Sequence, residues 1–113
     1  MRIIGIDPGL RHTGWGIVEF KNNNLIHIGD GTISPSTSIS DGKRLFFIKS
    51  QLSQIISKYS PNKSAIEQIF VGFGAGSSLK LGMARGVSMS VLAESGLDIT
   101  EIPPKLVKKT ITG

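Results

Sequence analysis

The chain has no cysteine among its 113 residues, which excludes disulfides and thiolate metal sites and suits a reducing compartment. It also lacks any apolar run that reads as a signal h-region, a transit peptide or a membrane span. A cytoplasmic protein with no membrane contact is therefore expected. Internal repeats and low-complexity segments are absent, so no repeat architecture or compositionally biased tail is in play. Acidic residues are few, eight against thirteen Lys and Arg, for a net charge of +5. That balance leans toward an anionic partner such as nucleic acid or a phosphate-bearing surface. The length suits one compact domain and is too short for two, so residues 1–113 are read as a single domain.

What is present falls into two halves. Arg2 to Asp7 is a short β-branched run with little polar alternation, the pattern of a strand buried on both faces. Pro8-Gly9 breaks it, and Thr13 to Phe20 returns as a second strand. "KNNN" at 21–24 is hairpin-tip chemistry, because Asn tolerates positive φ. Leu25 to Ile33 then completes an antiparallel meander. From Asp41 the period changes: Leu45, Ile48, Leu52, Ile55, Ile56 and Tyr59 recur at spacings of three and four, one face of an amphipathic helix. Ser40 or Asp41 can cap its start and Ser60-Pro61 ends it. Lys63 to Gln68 reads as a fourth strand, followed by the glycine-rich "FVGFGAG". A second helix is expected from about Ser77 to Glu94, closed by Gly96. Leu97 to Ile102 is a fifth strand, and Pro104 opens a further helix over "KLVKKTIT". A meander followed by crossovers predicts an α/β fold, a mixed sheet with helices on its faces.

Two carboxylates stand at strand ends. Asp7 closes the first strand and Glu67 the fourth, each just before a Gly-containing break. If those strands lie parallel and adjacent, about 4.8 Å apart, both side chains emerge at one edge and can reach one ion. Two such groups repel unless a cation sits between them, and oxygen-only ligands favour Mg²⁺ or Mn²⁺. The competing readings are an Asx-type turn for Asp7 and a lysine-paired strand end for Glu67.

Other residues carry weaker signals. Phe70 and Phe73 lie among glycines beside that edge, placed either to stack on unstacked bases or to fold back into the core. Gly82, Gly86 and Ser90 recur at spacing four on the second helix, and helix-interior glycine costs roughly 0.8–1 kcal/mol against alanine. Close backbone approach offsets that cost, either on the sheet or against a second subunit; Leu79, Met83, Val87 and Val91 form the adjoining apolar row. Lys80 and Arg85 face phosphate or solvent. Lys105, Lys108 and Lys109 share one helical face, either solvated or set against a nucleic-acid backbone. His12 and His27 read as surface or structural groups.

In order and spacing, "GIDPGLRHTGWGIV", "AIEQIF" and "SLKLGMARGV" resemble the RuvC family of Holliday-junction resolvases, and the likeness runs from residue 3 to the C-terminus. A lone D-P-G would not separate this family from actin-like ATPases, but a second D-x-G hairpin is missing here. The resemblance implies a ribonuclease-H-like mixed five-stranded sheet flanked by helices. It also implies a crossover junction endodeoxyribonuclease, a homodimer that nicks four-way DNA junctions in pairs using Mg²⁺ (Mn²⁺ as the substitute) at four acidic residues. Asp7 matches the first acid and Glu67 the second. The family's other two lie on a helix beyond "TITG", and Asp41, Asp98 and Glu101 are poorly placed to replace them. The expectation is a C-terminally truncated member whose last helices are missing, with weak metal binding and an exposed, aggregation-prone fifth strand. Its alternative is a catalytically incomplete junction-binding module. Phe70 matches the family's junction-entering aromatic, and Lys108 a lysine near the active site. Phe73 and Gly74 replace a common lysine and asparagine, which leaves the sequence preference open. A dimer contact through Gly82, Gly86 and Ser90, and RuvA and RuvB as branch-migration partners, are also implied.

Overall fold

The computed structural model describes residues 1–68 and 75–102. Among these the order is β1 (Arg2–Asp7), β2 (Thr13–Lys21), β3 (Asn24–Ile33), α1 (Asp41–Tyr59), β4 (Lys63–Glu67), α2 (Ala75–Glu94) and β5 (Ile99–Ile102). The strands form one mixed sheet in the order β3-β2-β1-β4-β5, as expected of a ribonuclease-H-like α/β fold. β1 to β3 are antiparallel, whereas β1–β4 and β4–β5 are parallel.

Local chemistry explains the boundaries. Asn22 and Asn23 both have positive φ, 55° and 63°, so the β2–β3 hairpin turns on two residues whose twist matches its strands. Ser40 caps α1 by accepting from the Lys43 N–H, and left-handed Ser60 ends it, its N–H bonded to the Ile56 carbonyl at 2.8 Å. α2 closes on Gly96 at φ 79°: the Gly96 N–H reaches the Ala93 carbonyl and the Leu97 N–H the Leu92 carbonyl. This closure takes Leu97 out of the expected fifth strand, which starts at Ile99. Leu97 packs against the core instead. The helix expected after Pro104 lies outside the described residues.

The core joins one sheet face to both helices. Ile4 and Ile6 of β1, Ile17 of β2 and Ile66 of β4 pack with Ile48, Leu52 and Ile56 of α1 and with Ala84, Val91 and Leu92 of α2. Arg44 is buried one turn before Ile48, so the inward row of α1 runs 44, 48, 52, 56 and begins with a charge. Large exposed apolar side chains among the described residues include Leu25, Ile26 and Ile28 on β3 and Phe46 and Phe47 on α1. On β5, Ile99 and Ile102 are half-buried.

This packing separates two substitutions on α1. Leu52→Ala is expected to lower the unfolding free energy by about 2–5 kcal/mol, the range for emptying a buried aliphatic site. Phe46, 67% exposed, faces out, and Phe46→Ala should change stability by less than about 0.5 kcal/mol. Urea denaturation checks both; equal losses would mean that α1 packs through a different face.

Candidate active site

The site starts from strand register. β1 and β4 pair in parallel from Ile3↔Lys63 to Ile6↔Ile66, so the next residues outward, Asp7 and Glu67, end neighbouring strands at the same level. Side chains alternate along a strand. Ile6 and Ile66 point into the helix-covered core, and Asp7 and Glu67 therefore fall together on the other face at the rim. Both line a cavity of about 90 Å³, with Pro8, Gln68 and Leu81. The Gln68 N–H donates to the Ile102 carbonyl at 2.9 Å, which holds the exit of β4 against β5.

A clamp holds the chain just after Asp7. The Thr13 side chain is fully buried; its hydroxyl donates to the Gly9 carbonyl at 2.7 Å and accepts from the Gly9 N–H at 3.2 Å. A Cβ at Gly9 would collide with the His12 carbonyl oxygen, so this tight loop demands glycine. His12 Nδ1 is hydrogen-bonded to Ser34 Oγ at 2.7 Å, tying the loop to the segment after β3. His27 pairs with Asp30 at 2.8 Å on β3. Both histidines sit on the surface.

Beyond the loop a larger cavity opens, about 530 Å³, lined by Arg11, His12, Thr37, Arg44, Lys80 and Leu81 among others. Leu81 borders both cavities. Lys80 is exposed here. Arg85 takes a different role from the phosphate or solvent contact expected of it. Its Nε donates to the Glu67 carbonyl at 3.4 Å and its guanidinium pairs with the Glu101 carboxylate, so it braces the ends of β4 and β5. Glu101 is thereby committed to Arg85, and Asp41 stands 3.6 Å from Arg44. Neither joins the Asp7 and Glu67 rim.

On α2, Gly82, Gly86 and Ser90 are exposed, and a Cβ at either glycine would meet no atom of the described residues within 4 Å. The helix packs inward through Ala84, Ser88, Val91 and Leu92, so the stripe is not a sheet contact. Phe70, Phe73, Lys105, Lys108 and Lys109 lie outside the described residues. Sequence reasoning passed over Arg44 and Arg11. For Arg44 the signal was available: a charge at the head of a row of apolar residues spaced by four.

The family model for crossover junction endodeoxyribonuclease RuvC matches residues 3–113. A crossover junction endodeoxyribonuclease RuvC of Rhodopseudomonas palustris strain BisA53 is 46% identical over 113 residues, covering 100% of this chain and 65% of its own length. The counterpart from Afipia carboxidovorans is 45% identical, with 100% and 66% covered. The chain thus spans about two thirds of the length of these relatives. Thermus thermophilus RuvC, solved in complex with Holliday junction substrate, superposes with a TM-score of 0.86 at 23% identity, over 96% of this chain and 70% of that one. The yeast mitochondrial Holliday junction resolvase Ydc2 gives 0.67 at 12% identity, over 91% and 50%.

The clamp behind Asp7 can be tested by itself. Thr13→Val keeps the shape and removes the hydroxyl, leaving polar groups of Gly9 unsatisfied at a cost of about 1–3 kcal/mol. Thermal and urea unfolding should register that loss, while Ser36→Ala, at an exposed hydroxyl of the segment after β3, should register almost none.

Proposed function

The chain belongs to the crossover junction endodeoxyribonuclease RuvC family, and from that premise we propose that it acts on four-way DNA junctions as a structure-specific endonuclease that nicks strands in pairs. The observation that carries this reading is the in-register ending of β1 and β4, which puts the carboxylates of Asp7 and Glu67 on one small cavity. Two carboxylates at one rim fit a hard divalent cation, Mg²⁺ with Mn²⁺ as its substitute, as part of a ligand set. Bound there, such an ion supplies Lewis acidity for the attacking water and the leaving oxygen of a phosphodiester.

The chain's own residues do the positioning. Asp7 and Glu67 hold the cation, and the Gly9–Thr13 clamp fixes the direction in which Asp7 leaves its strand. Lys80, with Lys105, Lys108 and Lys109, offers cations to the backbone phosphates of the junction. Phe70 and Phe73 supply aromatic faces for unstacked bases. The exposed stripe of Gly82, Gly86 and Ser90 on α2 serves as the contact of a homodimer, whose two sites cut opposed strands. RuvA and RuvB are proposed as branch-migration partners, in the cytoplasm. No helix among the described residues is long and apolar enough to cross a membrane.

A second reading has one observation in its favour. Among the described residues, no group of three or more His, Cys, Asp or Glu is placed to hold a metal. With two carboxylates alone, the chain would recognise junctions with weak metal binding and little cutting.

Mn²⁺ titration followed by electron paramagnetic resonance tests the carboxylate pair without relying on activity. The chain should bind Mn²⁺ weakly, and Asp7→Asn or Glu67→Gln should each lower the affinity at least about tenfold, the 1.4 kcal/mol expected for one lost charge-assisted ligand. Unchanged binding in both variants would remove the pair from the metal site. In gel shifts and nicking assays with Mg²⁺, the chain should retard a four-way junction more than linear duplex and cut it feebly; no junction preference would sink both readings.

The dimer contact makes a separate prediction. Gly86→Glu improves helix propensity by roughly 0.5–1 kcal/mol and places charge on the stripe. Sedimentation should then show the mass falling from two chains to one, with unchanged far-UV circular dichroism.

A further inference from the structure

We propose that the cavity lined by Arg11, His12, Thr37, Arg44 and Lys80 is a phosphate subsite that seats a backbone phosphate of the same DNA strand that crosses the Asp7 and Glu67 rim. The inference rests on the nuclease reading and extends it from Lys80, which that reading already sets against phosphate, to Arg11, His12, Thr37 and Arg44, which it does not use. Three basic side chains converge on this cavity from three separate elements: Arg11 from the β1–β2 loop, Arg44 from α1 and Lys80 from α2. Among the described residues, no carboxylate lines it. Asp41, on the first turn of α1, offsets Arg44 from 3.6 Å but leaves the charges of Arg11 and Lys80 unanswered.

Arg44 is the anchor of the site. Its side chain keeps 10% of its surface, it donates to the Leu10 carbonyl at 3.2 Å, and its buried Nε has no hydrogen-bond partner among the described residues. A guanidinium fixed in the wall of a concave site, its charge offset only by a half-exposed carboxylate at 3.6 Å, adds positive potential that suits an oxyanion. The floor is stiff, because Thr13 clamps Gly9 and His12 is tied to Ser34. At about 530 Å³ the cavity takes a sugar-phosphate unit rather than a bare ion.

Position supplies the second half of the argument. Pro8 lines the carboxylate cavity, Gly9 the cationic one, and Leu81 both, so the two open side by side along one loop. A polyanionic strand laid across them meets a negative site that needs a metal and then a positive site that needs none. The second site fixes the register of the strand at the first, so Arg11, Lys80 and Arg44 act as positioning residues.

A neutral-phosphate scan tests this. Methylphosphonates are placed one at a time along one strand of a four-way junction, and binding is measured in metal-free buffer for the chain and for the Arg11→Ala, Lys80→Ala double variant, both changes being at exposed positions. One position should weaken binding of the unaltered chain about tenfold and that of the variant less than twofold, and the variant's salt dependence should be shallower by about one to two ions released. A variant as sensitive as the unaltered chain at every position would overturn the subsite. Inorganic phosphate, followed by amide shifts at residues 9–12, separates the source: saturable shifts with a flat scan would mean a free-anion site and overturn the strand assignment. If the chain shows no preference for the junction, the nuclease reading falls, and the same scan on linear duplex still decides the subsite. Failure to bind any DNA would overturn both.

Discussion

Parallel pairing of β1 with β4 constrains every other part of this protein. A parallel pair cannot close through a hairpin and needs a crossover of a dozen residues or more. Here the connection runs through β2, β3 and α1, and α1, capped at Ser40 and stopped at Ser60, carries the chain from β3 back across the sheet to β4. Register within the pair is set by burial. Ser64 and Ile66 take the core face, while Ala65 and Glu67 take the other. A slip by one residue would exchange those faces, driving the Glu67 carboxylate toward the packed isoleucines and exposing Ile66. The cost of burying such a charge keeps the slipped register empty. The alignment of Asp7 with Glu67 is therefore enforced by the core.

Arginines secure the ends of the elements that this pairing brings together. Arg2 Nη1 donates to the Tyr59 carbonyl at 2.9 Å, where α1 ends; Arg44 holds the Leu10 carbonyl in the loop after β1; Arg85 reaches the Glu67 carbonyl where β4 ends. Each closes an otherwise loose backbone acceptor with a charge-assisted bond, worth more than a neutral one. Their carboxylate partners are partly exposed, Glu19 at 26%, Asp41 at 43% and Glu101 at 50%, so the ion pairs themselves add little. These pairs take equal numbers of cations and acids, so the net charge of +5 resides in the side chains outside them. Arg11 and Lys80 remain on the surface and line the cavity next to the carboxylate rim.

Legibility in the sequence followed the strength of local signals. Asp7 and Glu67 were readable because each combines a strand pattern with an abrupt stop, and the Asn22-Asn23 turn because two adjacent residues tolerate positive φ. The α1 face was readable as a period, but that same period hid Arg44: a charge on an apolar row is read as solvated until tertiary structure supplies the Leu10 carbonyl. Arg85 was opaque for a related reason. Its partners at Glu67 and Glu101 are eighteen and sixteen residues away, brought near by packing of α2 that no spacing rule encodes. Leu97 reads as strand in the sequence because its β-forming neighbours look continuous. The backbone closure at Gly96 won that residue for the helix end.

Glycine has opposite meanings on the two sides of this molecule. On β3, a Cβ at Gly31 would stand 2.9 Å from Trp15 Nε1, and one at Gly29 the same distance from the Tyr59 hydroxyl. Those glycines are filled by aromatic rings, 5.7 Å apart between centroids, that close the sheet onto the end of α1. Dispersion contacts with the rings offset what the glycines cost. On α2 no described atom fills the corresponding space at Gly82 and Gly86, and roughly 0.8–1 kcal/mol per residue of helix propensity is lost there. No described side chain returns that loss. A flat, exposed helix face between the inward row of Ala84, Ser88 and Val91 and the half-exposed Met83 and Val87 is the geometry that lets a second backbone approach closely. The glycines of β3 are explained by the chain's own core, whereas those of α2 have no described neighbour that explains them.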